Sequence, residues 1–379
     1  AVSSSVEPAR SGPRVAWLAS IALFGVLPVL TTIALFATTI QDGPIATDLR
    51  QFVGAAEAIL DGESPYLPAG VPLTEWGGPY PYPPLPALAA IPLTVLPFDV
   101  AGVLVMAALV AAALATLRVL GVSDWRCYGL ALLWPPVLSA VQTGNVTLWF
   151  GLAAALAWRY RDRLLPVSAT VGLTLAVKFF LWPLVVWLAA TRRLAGAVLS
   201  CVVGGALLLV SWAAIGFAGL VDYPDLVRRL EDTVGEDSYT LYIVGLDLGL
   251  PSGPARGLWL LFGLGLLAAV VVLGRRGDER SAFLLALAAS IALTPIVWLH
   301  YFALLLVVVA LAQPRLGFVW FVPLAMVITP GSGHPSPFET AATLAIAALT
   351  IGLALRASLG EQRAPEPSAT PVRATAEAA

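Results

Sequence analysis

Stretches of about 20 apolar residues recur from one end of this chain to the other, each long enough to cross a bilayer as a helix. Within hydrocarbon every backbone polar group must find its partner inside the protein, so such runs fold as helices or not at all. Of 379 residues, 59% are hydrophobic and 12% charged, against roughly a quarter charged in a soluble domain. The fold class that follows is an all-α polytopic membrane protein. A net charge of −2 offers no basic face for nucleic acid. Cys127 and Cys201 both lie in apolar segments, without metal-ligand spacing, and read as small buried hydrophobes. No nucleotide-binding loop is present, and neither a metal nor another cofactor is expected.

Charge at the segment ends orients the chain. Arg10 and Arg14 precede the first apolar run, Val15 to Ile40, with only Glu7 opposing them, so residues 1–14 are expected in the cytoplasm. The run is too long for a signal-peptide core and reads as a retained anchor. It delivers residues 41–84 to the outside, where six acids (Asp42, Asp48, Glu57, Asp61, Glu63, Glu75) face Arg50 alone. A second external loop is expected at 217–254, with seven acids against Arg228 and Arg229.

Between these loops the apolar segments fall at 85–97, 99–120, 127–141, 144–158, 164–190 and 194–216, several of them broken by proline. Simple alternation gives six crossings but puts the Arg159-Tyr160-Arg161-Asp162-Arg163 cluster outside. If 85–97 is instead re-entrant and 164–190 a hairpin, Arg118, Arg126, that cluster and Arg192-Arg193 all lie inside, while Gln142 to Asn145 and Lys178 face outward. Both arrangements remain open from sequence. Further on, Arg275 to Arg280 forms a cytoplasmic turn, and the tail 356–379, rich in Ala, Pro, Glu and Ser, is expected to be disordered. About twelve transmembrane or re-entrant helices with two external loops, within a membrane domain 15–355, is the predicted architecture.

A few polar residues interrupt this apolar background. Leu49, Phe52, Val53, Ala56, Ile59 and Leu60 repeat at helical spacing and predict a short interfacial helix over 47–60. Asp48 stands at its head, where a carboxylate can take a proton from an attacking hydroxyl; spacing alone favours a helix cap by Asp48 or Thr47. Lys178 is the only lysine and sits inside LTLAVKFFLWPLVVWLA. An intramembrane cation needs a partner such as a phosphate, or must snorkel to an interface. His300, one of two histidines, ends an apolar segment in LTPIVWLHYFALLL and can hydrogen-bond a phosphate or sugar, or simply pack; His334 reads as plain surface. Gln142 and Asn145 place two amides around a glycine, suited to sugar hydroxyls or to capping helix ends. Tyr66, Trp76, Tyr80 and Tyr82 suit stacking on a sugar ring, with an interfacial aromatic belt as the default.

Taken in order, the early external Asp48, DGESPY, YPYPPLPALAAIPLTVLP, QTGNVTLWFGLAAAL, LTLAVKFFLWPLVVWLAATRR and LTPIVWLHYFALLL resemble glycosyltransferase family 87 from about Asp48 to Leu306. The resemblance implies a GT-C-type fold and a multi-pass protein of the cell membrane with an extracytoplasmic active site. It also implies inverting transfer of a hexose, mannose, from a polyprenyl-phosphate donor to a lipid or glycan acceptor, among membrane lipids. Under it Asp48 becomes the catalytic base, and Lys178 and His300 line the donor phosphate site. Tyr66, Tyr80, Tyr82, Gln142 and Asn145 are the substrate-binding candidates. The chain departs from the family pattern in three places: Phe179-Phe180 follow Lys178 where a proline is expected, Tyr301 stands where a second histidine is expected, and the second external loop lacks an expected asparagine–serine pair. Two alternatives are an arabinofuranosyltransferase using the same lipid carrier, and a transporter or lipid flippase.

Overall fold

A computed structural model describes residues 12–41, 46–68, 70, 71, 73, 79–329 and 335–363. His334, Trp76 and the tail beyond Arg363 lie outside them. The described residues are helical, with no strand among them. Five of their helices are long and apolar enough to cross a membrane: Arg14–Thr38, Phe98–Val119, Leu194–Ala214, Ser252–Arg275 and Pro337–Leu359. The first is α1 (Gly12–Ile21) running into α2 (Leu27–Gln41) through a π-helical turn at Ala22–Val26. The helix α3 spans Thr47–Leu60, and Gly62 behind it turns the chain with φ at 78°. Its periodic face, Leu49, Phe52, Val53 and Ala56, is buried.

Prolines that look like helix breakers in the sequence turn out to start helices, because a first-turn residue has no backbone bond to lose and proline's fixed φ suits it. Pro84 opens α4 (Pro84–Ala90). After the long α5 (Phe98–Val119) and α6 (Trp125–Leu132), Pro135 opens α7 (Pro135–Thr143). Then come α8 (Thr147–Arg159) and α9 (Leu164–Val177), and Pro183 opens α10 (Pro183–Ala190). The apolar piece Pro84–Leu93, α4 with its 3₁₀ extension, is too short to span by itself. It lies against α3 and against α11 (Leu194–Ala214).

Residues 164–190 form a hairpin, the second of the two arrangements open from sequence. Gly196 of α11 packs against both Val167 of α9 and Leu188 of α10, and Ser168 donates to the Gly196 carbonyl at 3.2 Å. The start of α9 and the end of α10 therefore meet at one level, and the chain reverses between them at residues 178–182. α9 can lie this close to α11 because Gly172 faces it: a Cβ there would sit 2.7 Å from Val203 and 2.8 Å from the Ser200 carbonyl oxygen. At the base of the hairpin Arg193 pairs with Asp162 at 2.6 Å and with Glu279 at 2.9 Å, and Arg161 reaches Glu279 at 3.2 Å. The Arg193 hydrogen bond holds the Asp162 carboxyl below its ordinary range. The 159–163 cluster, Arg193 and the 275–280 turn thus share one end of the molecule, as the positive-inside pattern requires.

Residues 217–254 contain two helices, the amphipathic α12 (Tyr223–Val234) and the short α13 (Leu241–Asp247). α14 (Ser252–Arg275) and α15 (Glu279–Ala292) follow. A 3₁₀ turn, Leu299–Leu304, then leads into α16 (Leu305–Ala312), buried along its whole length. The last helix, α17 (Pro337–Arg363), runs on past Arg356. One large core gathers α15, α16 and the inner faces of α5, α7, α8 and α10. A smaller one joins α3, α4, Tyr66, Tyr80, Tyr82, Trp212 and Leu226.

Candidate active site

The start of α3 is clamped onto the end of α7. Ala46, in left-handed backbone at φ 49° and ψ 54°, donates its N–H to the Gln142 carbonyl at 3.1 Å. Gly144, also left-handed at φ 70°, leaves no room for a Cβ, which would meet Ala46 and Leu49 at 3.2 and 3.1 Å. This contact brings Asp48, in the first turn of α3, against Asn145. The expectation that Asp48 or Thr47 caps the helix is not met: Ala46 is the N-cap residue, and no side chain caps there. The Asp48 carboxylate instead accepts from the Asn145 side-chain amide. It is still favoured at the positive end of the helix dipole.

Asn145 is held in turn. Its Oδ1 accepts from the Thr147 N–H at 2.9 Å and from the Thr147 hydroxyl at 2.5 Å, which leaves only its NH₂ to face Asp48. That NH₂ also reaches the Tyr82 hydroxyl at 3.5 Å. α9 breaks at Lys178, whose own N–H still closes the last helical bond, to Thr174 at 3.0 Å. The freed side chain places Nζ 4.9 Å from the centre of the Tyr82 ring and 4.7 Å from that of Tyr301, and donates to the Tyr301 hydroxyl. No described carboxylate lies within ion-pair distance of it. The His300 ring lies against that of Tyr301, tilted by 30° with centroids 4.8 Å apart. Its Nε2 is buried and has no hydrogen-bond partner among the described residues.

These side chains face one cavity of about 500 Å³. Asp48, Tyr82, Asn145, Lys178 and His300 all line it. Gln142, Tyr66 and Tyr80 do not. The Gln142 side chain is exposed, and its backbone carbonyl is what holds α3. Tyr66 and Tyr80 are buried structural residues: Tyr66 donates to the Tyr82 carbonyl at 3.0 Å and stacks on Trp212 at 5.1 Å, while Tyr80 donates to the Pro83 carbonyl at 2.7 Å and accepts from the Ala87 N–H at 3.0 Å. The three tyrosines thus pack inward rather than forming a belt, because the loop folds back onto α11 and α12. Burial pushes all three phenols upward, so they stay neutral.

The cavity also takes residues that sequence reasoning passes over. Gln51 stands one helical turn beyond Asp48 and shares its face. Asp237 and Tyr239 arrive from the second loop, which is pinned by the Tyr239 N–H to the Val297 carbonyl at 2.8 Å and by the Val297 N–H to the Ser238 hydroxyl at 2.7 Å. Val227 and Leu230 of α12 close another wall. Tyr301 is the most important of these. Its only signal in the sequence is that it follows His300 where a second histidine is expected.

A negative and a positive charge therefore face one cavity without pairing directly. Burial raises the Asp48 carboxyl above its ordinary range, while the Asn145 hydrogen bond and the Lys178 charge pull it back down. Such a pair suits a reaction that takes a proton at one end and develops negative charge at the other. Residues 80–293 match the profile of glycosyltransferase family 87. The chain belongs to that family. Family 87 membership makes it a glycosyltransferase, and the five long apolar helices make it a membrane one. It is also 26% identical over 330 residues to the polyprenol-phosphate-mannose-dependent alpha-(1-2)-phosphatidylinositol pentamannoside mannosyltransferase of Mycolicibacterium smegmatis, covering 79% of this chain and 74% of that protein. No solved structure matches it.

Proposed function

We propose that this family 87 enzyme transfers mannose from a polyprenyl-phosphate donor to a hydroxyl of a lipid or glycan acceptor at the outer face of the cell membrane. Asp48 is its general base. The observation that carries this is the convergence of Asp48, Lys178 and His300, far apart in sequence, on one cavity. The named mycobacterial relative supports the donor and makes a glycolipid the first acceptor to try. The proposal includes a GT-C-type architecture of about twelve transmembrane or re-entrant segments, with loops 41–84 and 217–254 outside and both chain ends inside.

In the reaction the donor phosphate rests against Lys178 Nζ and His300 Nε2, with the sugar projecting toward Asp48. The acceptor hydroxyl attacks the anomeric carbon from the face opposite the phosphate. The new C–O bond forms as the sugar–phosphate bond breaks, the configuration inverts, and the hydroxyl proton passes to Asp48. Polyprenyl phosphate departs with the bonding electron pair, its added charge met by Lys178. Phosphate is a competent leaving group, so positioning and electrostatics supply most of the acceleration. Arabinofuranose on the same carrier would use the same groups.

The test supplies membranes with radiolabelled polyprenyl-phosphate mannose, or the arabinose analogue, and follows label into lipid and glycan fractions. Transfer by wild type, lost in Asp48→Asn and in Lys178→Ala, is expected. Undiminished transfer by Asp48→Asn ends its assignment as base. Movement of labelled lipid between leaflets without transfer would favour a flippase.

A further inference from the structure

Three helices, α5, α10 and α14, end in the same way. Each turns through one left-handed residue, and the residue after it donates its N–H back to the last turn: Val122 to the Leu117 carbonyl at 3.0 Å, Arg193 to that of Leu188 at 2.8 Å, and Asp278 to that of Leu273 at 3.0 Å. Glycine fills the left-handed position in two of them, Gly121 at φ 79° and Gly277 at φ 89°. In the third it is Arg192, at φ 64°. A residue with a Cβ is disfavoured there, and the Arg192 side chain is exposed, so burial does not repay the strain.

The turns after α10 and α14 lie against each other. A Cβ on Gly274 would meet Ala190 at 2.9 Å and Thr191 at 3.3 Å, so Arg192 and the Arg275-Arg276 pair stand on adjoining turns. Segments 159–163, 191–193 and 275–280 carry eight arginines against three acids. The acids are already engaged: Asp162 and Glu279 by Arg161 and Arg193, and Asp278 as the cap of α15, accepting from the Ser281 N–H at 3.0 Å. Arg192, Arg275 and Arg276 are exposed, and no described carboxylate lies within ion-pair distance of them. Apolar surface begins beside them. Leu194 is 64% exposed and Val272 45%, both on helices long enough to span the membrane. The three arginines therefore stand within about one helical turn of the hydrocarbon, at the depth of the lipid phosphates.

We infer that Arg192, Arg275 and Arg276 form a binding site for the headgroup phosphate of an anionic membrane lipid, far from the catalytic cavity. Topology asks only for positive charge at this end and is met by any backbone conformation, so it does not account for an arginine held where glycine serves elsewhere. Guanidinium forks suit a phosphate diester, and the surplus of positive charge selects a headgroup of net negative charge. Lipid is the occupant because its phosphates already lie at this depth, whereas a soluble acidic protein would have to displace headgroups to arrive. A bound headgroup bridges the turns after α10 and α14 and so clamps the base of the hairpin whose far end carries Lys178. The site involves neither donor nor acceptor and stands apart from the proposed transfer; only the naming of its leaflet as cytoplasmic rests on the orientation proposed above.

The test follows thermal unfolding of the full chain in neutral detergent while phosphatidylglycerol, phosphatidylcholine or inorganic phosphate is titrated in. Wild type should be stabilised by phosphatidylglycerol and not by the other two. Arg192→Gly removes both the strain and the charge, so the variant should unfold at a higher temperature than wild type without lipid. Its half-saturating phosphatidylglycerol concentration should rise about fivefold, the worth of one basic residue at a membrane surface. Arg192→Gln/Arg275→Gln/Arg276→Gln should lose the stabilisation by lipid altogether. Equal stabilisation by phosphatidylcholine, or an unchanged phosphatidylglycerol response in the triple variant, overturns the site. Equal stabilisation by inorganic phosphate makes it a site for free anions and overturns the lipid assignment. A drop in the lipid-free unfolding temperature of Arg192→Gly would show that the arginine is kept for the fold. A second arm needs no variant: phosphatidylglycerol with a photoreactive headgroup should label residues 191–194 and 274–277, and label confined to other turns overturns the assignment. Transfer assays are not used, so failure here leaves the proposed function standing, and failure of that function leaves this site standing.

Discussion

The side-chain amide of Asn145 donates to the carboxylate of Asp48, joining residues 97 positions apart in the chain. Because Thr147 holds the other end of that amide, its NH₂ cannot turn away. In the proposed reaction Asn145 both aims the Asp48 carboxylate and stabilises its charged form. As the proposed base Asp48 must be ionised, and burial has raised its carboxyl. Activity should be full at alkaline pH and fall as pH drops through that raised value, above the ordinary carboxylate range. Asn145→Ala removes a hydrogen bond that favours the anion and should move this acid limb to higher pH. A pH–rate profile of kcat/KM checks the sign, and an unmoved limb would show that the base is another group.

Asp48→Asn keeps the hydrogen-bonding shape but cannot accept a proton, and transfer should fall by about 10²–10⁴. Single-turnover assays with labelled donor measure the loss, while donor binding, read by competition, should remain. A variant that loses binding as well as turnover would mean that Asp48 acts structurally.

Tyr301 is the hydrogen-bond partner of Lys178 and packs against the His300 ring. Tyr301→Phe keeps the ring and frees the ammonium, so the fold should survive while KM for the donor rises about tenfold, near the worth of one hydrogen bond to a charged group. Tyr301→His, which retains an acceptor nitrogen, should recover part of that loss. Equal activity of wild type and Tyr301→Phe would remove the tyrosine from the site.

Gly172 lets α9 lie against α11 and so sets the height at which Lys178 emerges. Gly172→Leu must push against Val203 and Ser200, and overpacking of this kind costs about 1–3 kcal/mol. Thermal unfolding in detergent should show the loss, and transfer should fall further than stability does. At the other end of the hairpin Glu279→Gln should cost about 1 kcal/mol or less, since its pairs with Arg161 and Arg193 are partly open to solvent.

Thiol labelling separates the two faces. With Cys127 and Cys201 replaced, cysteine at Gln142 should react with an impermeant reagent from outside and cysteine at Arg161 only from inside. Reaction of both from one side would contradict the hairpin.

How much of this is legible in the sequence depends on whether a residue's partner is local. The helix α3 can be read with both ends correct, because its apolar spacing and the Asp61-Gly62 stop are local signals. The long spans are equally plain. Asp48's partner is not local: helix-start statistics favour a cap, but the clamp of Ala46 on Gln142 turns the carboxylate toward Asn145. Gln142 illustrates the reverse, an amide that looks like a ligand and contributes its backbone instead. Tyr66 and Tyr80 carry the composition of an interfacial belt, and only the fold-back of the loop against Trp212 makes them interior. The hairpin is visible in the arginines as one of two options. Choosing it takes a contact between distant segments, Gly196 against both Val167 and Leu188.

The protein has a single lysine, and the fold has put it on the wall of the site. Apart from a chain terminus, its ammonium is the one primary amine that an acylating reagent can find, and a donor phosphate resting there, as proposed, would shield it. Lys178 therefore makes the enzyme a one-site reporter of its own occupancy. Intact mass after a pulse of amine reagent should read directly what fraction of molecules holds a phosphate-bearing lipid, without a labelled substrate or a known acceptor.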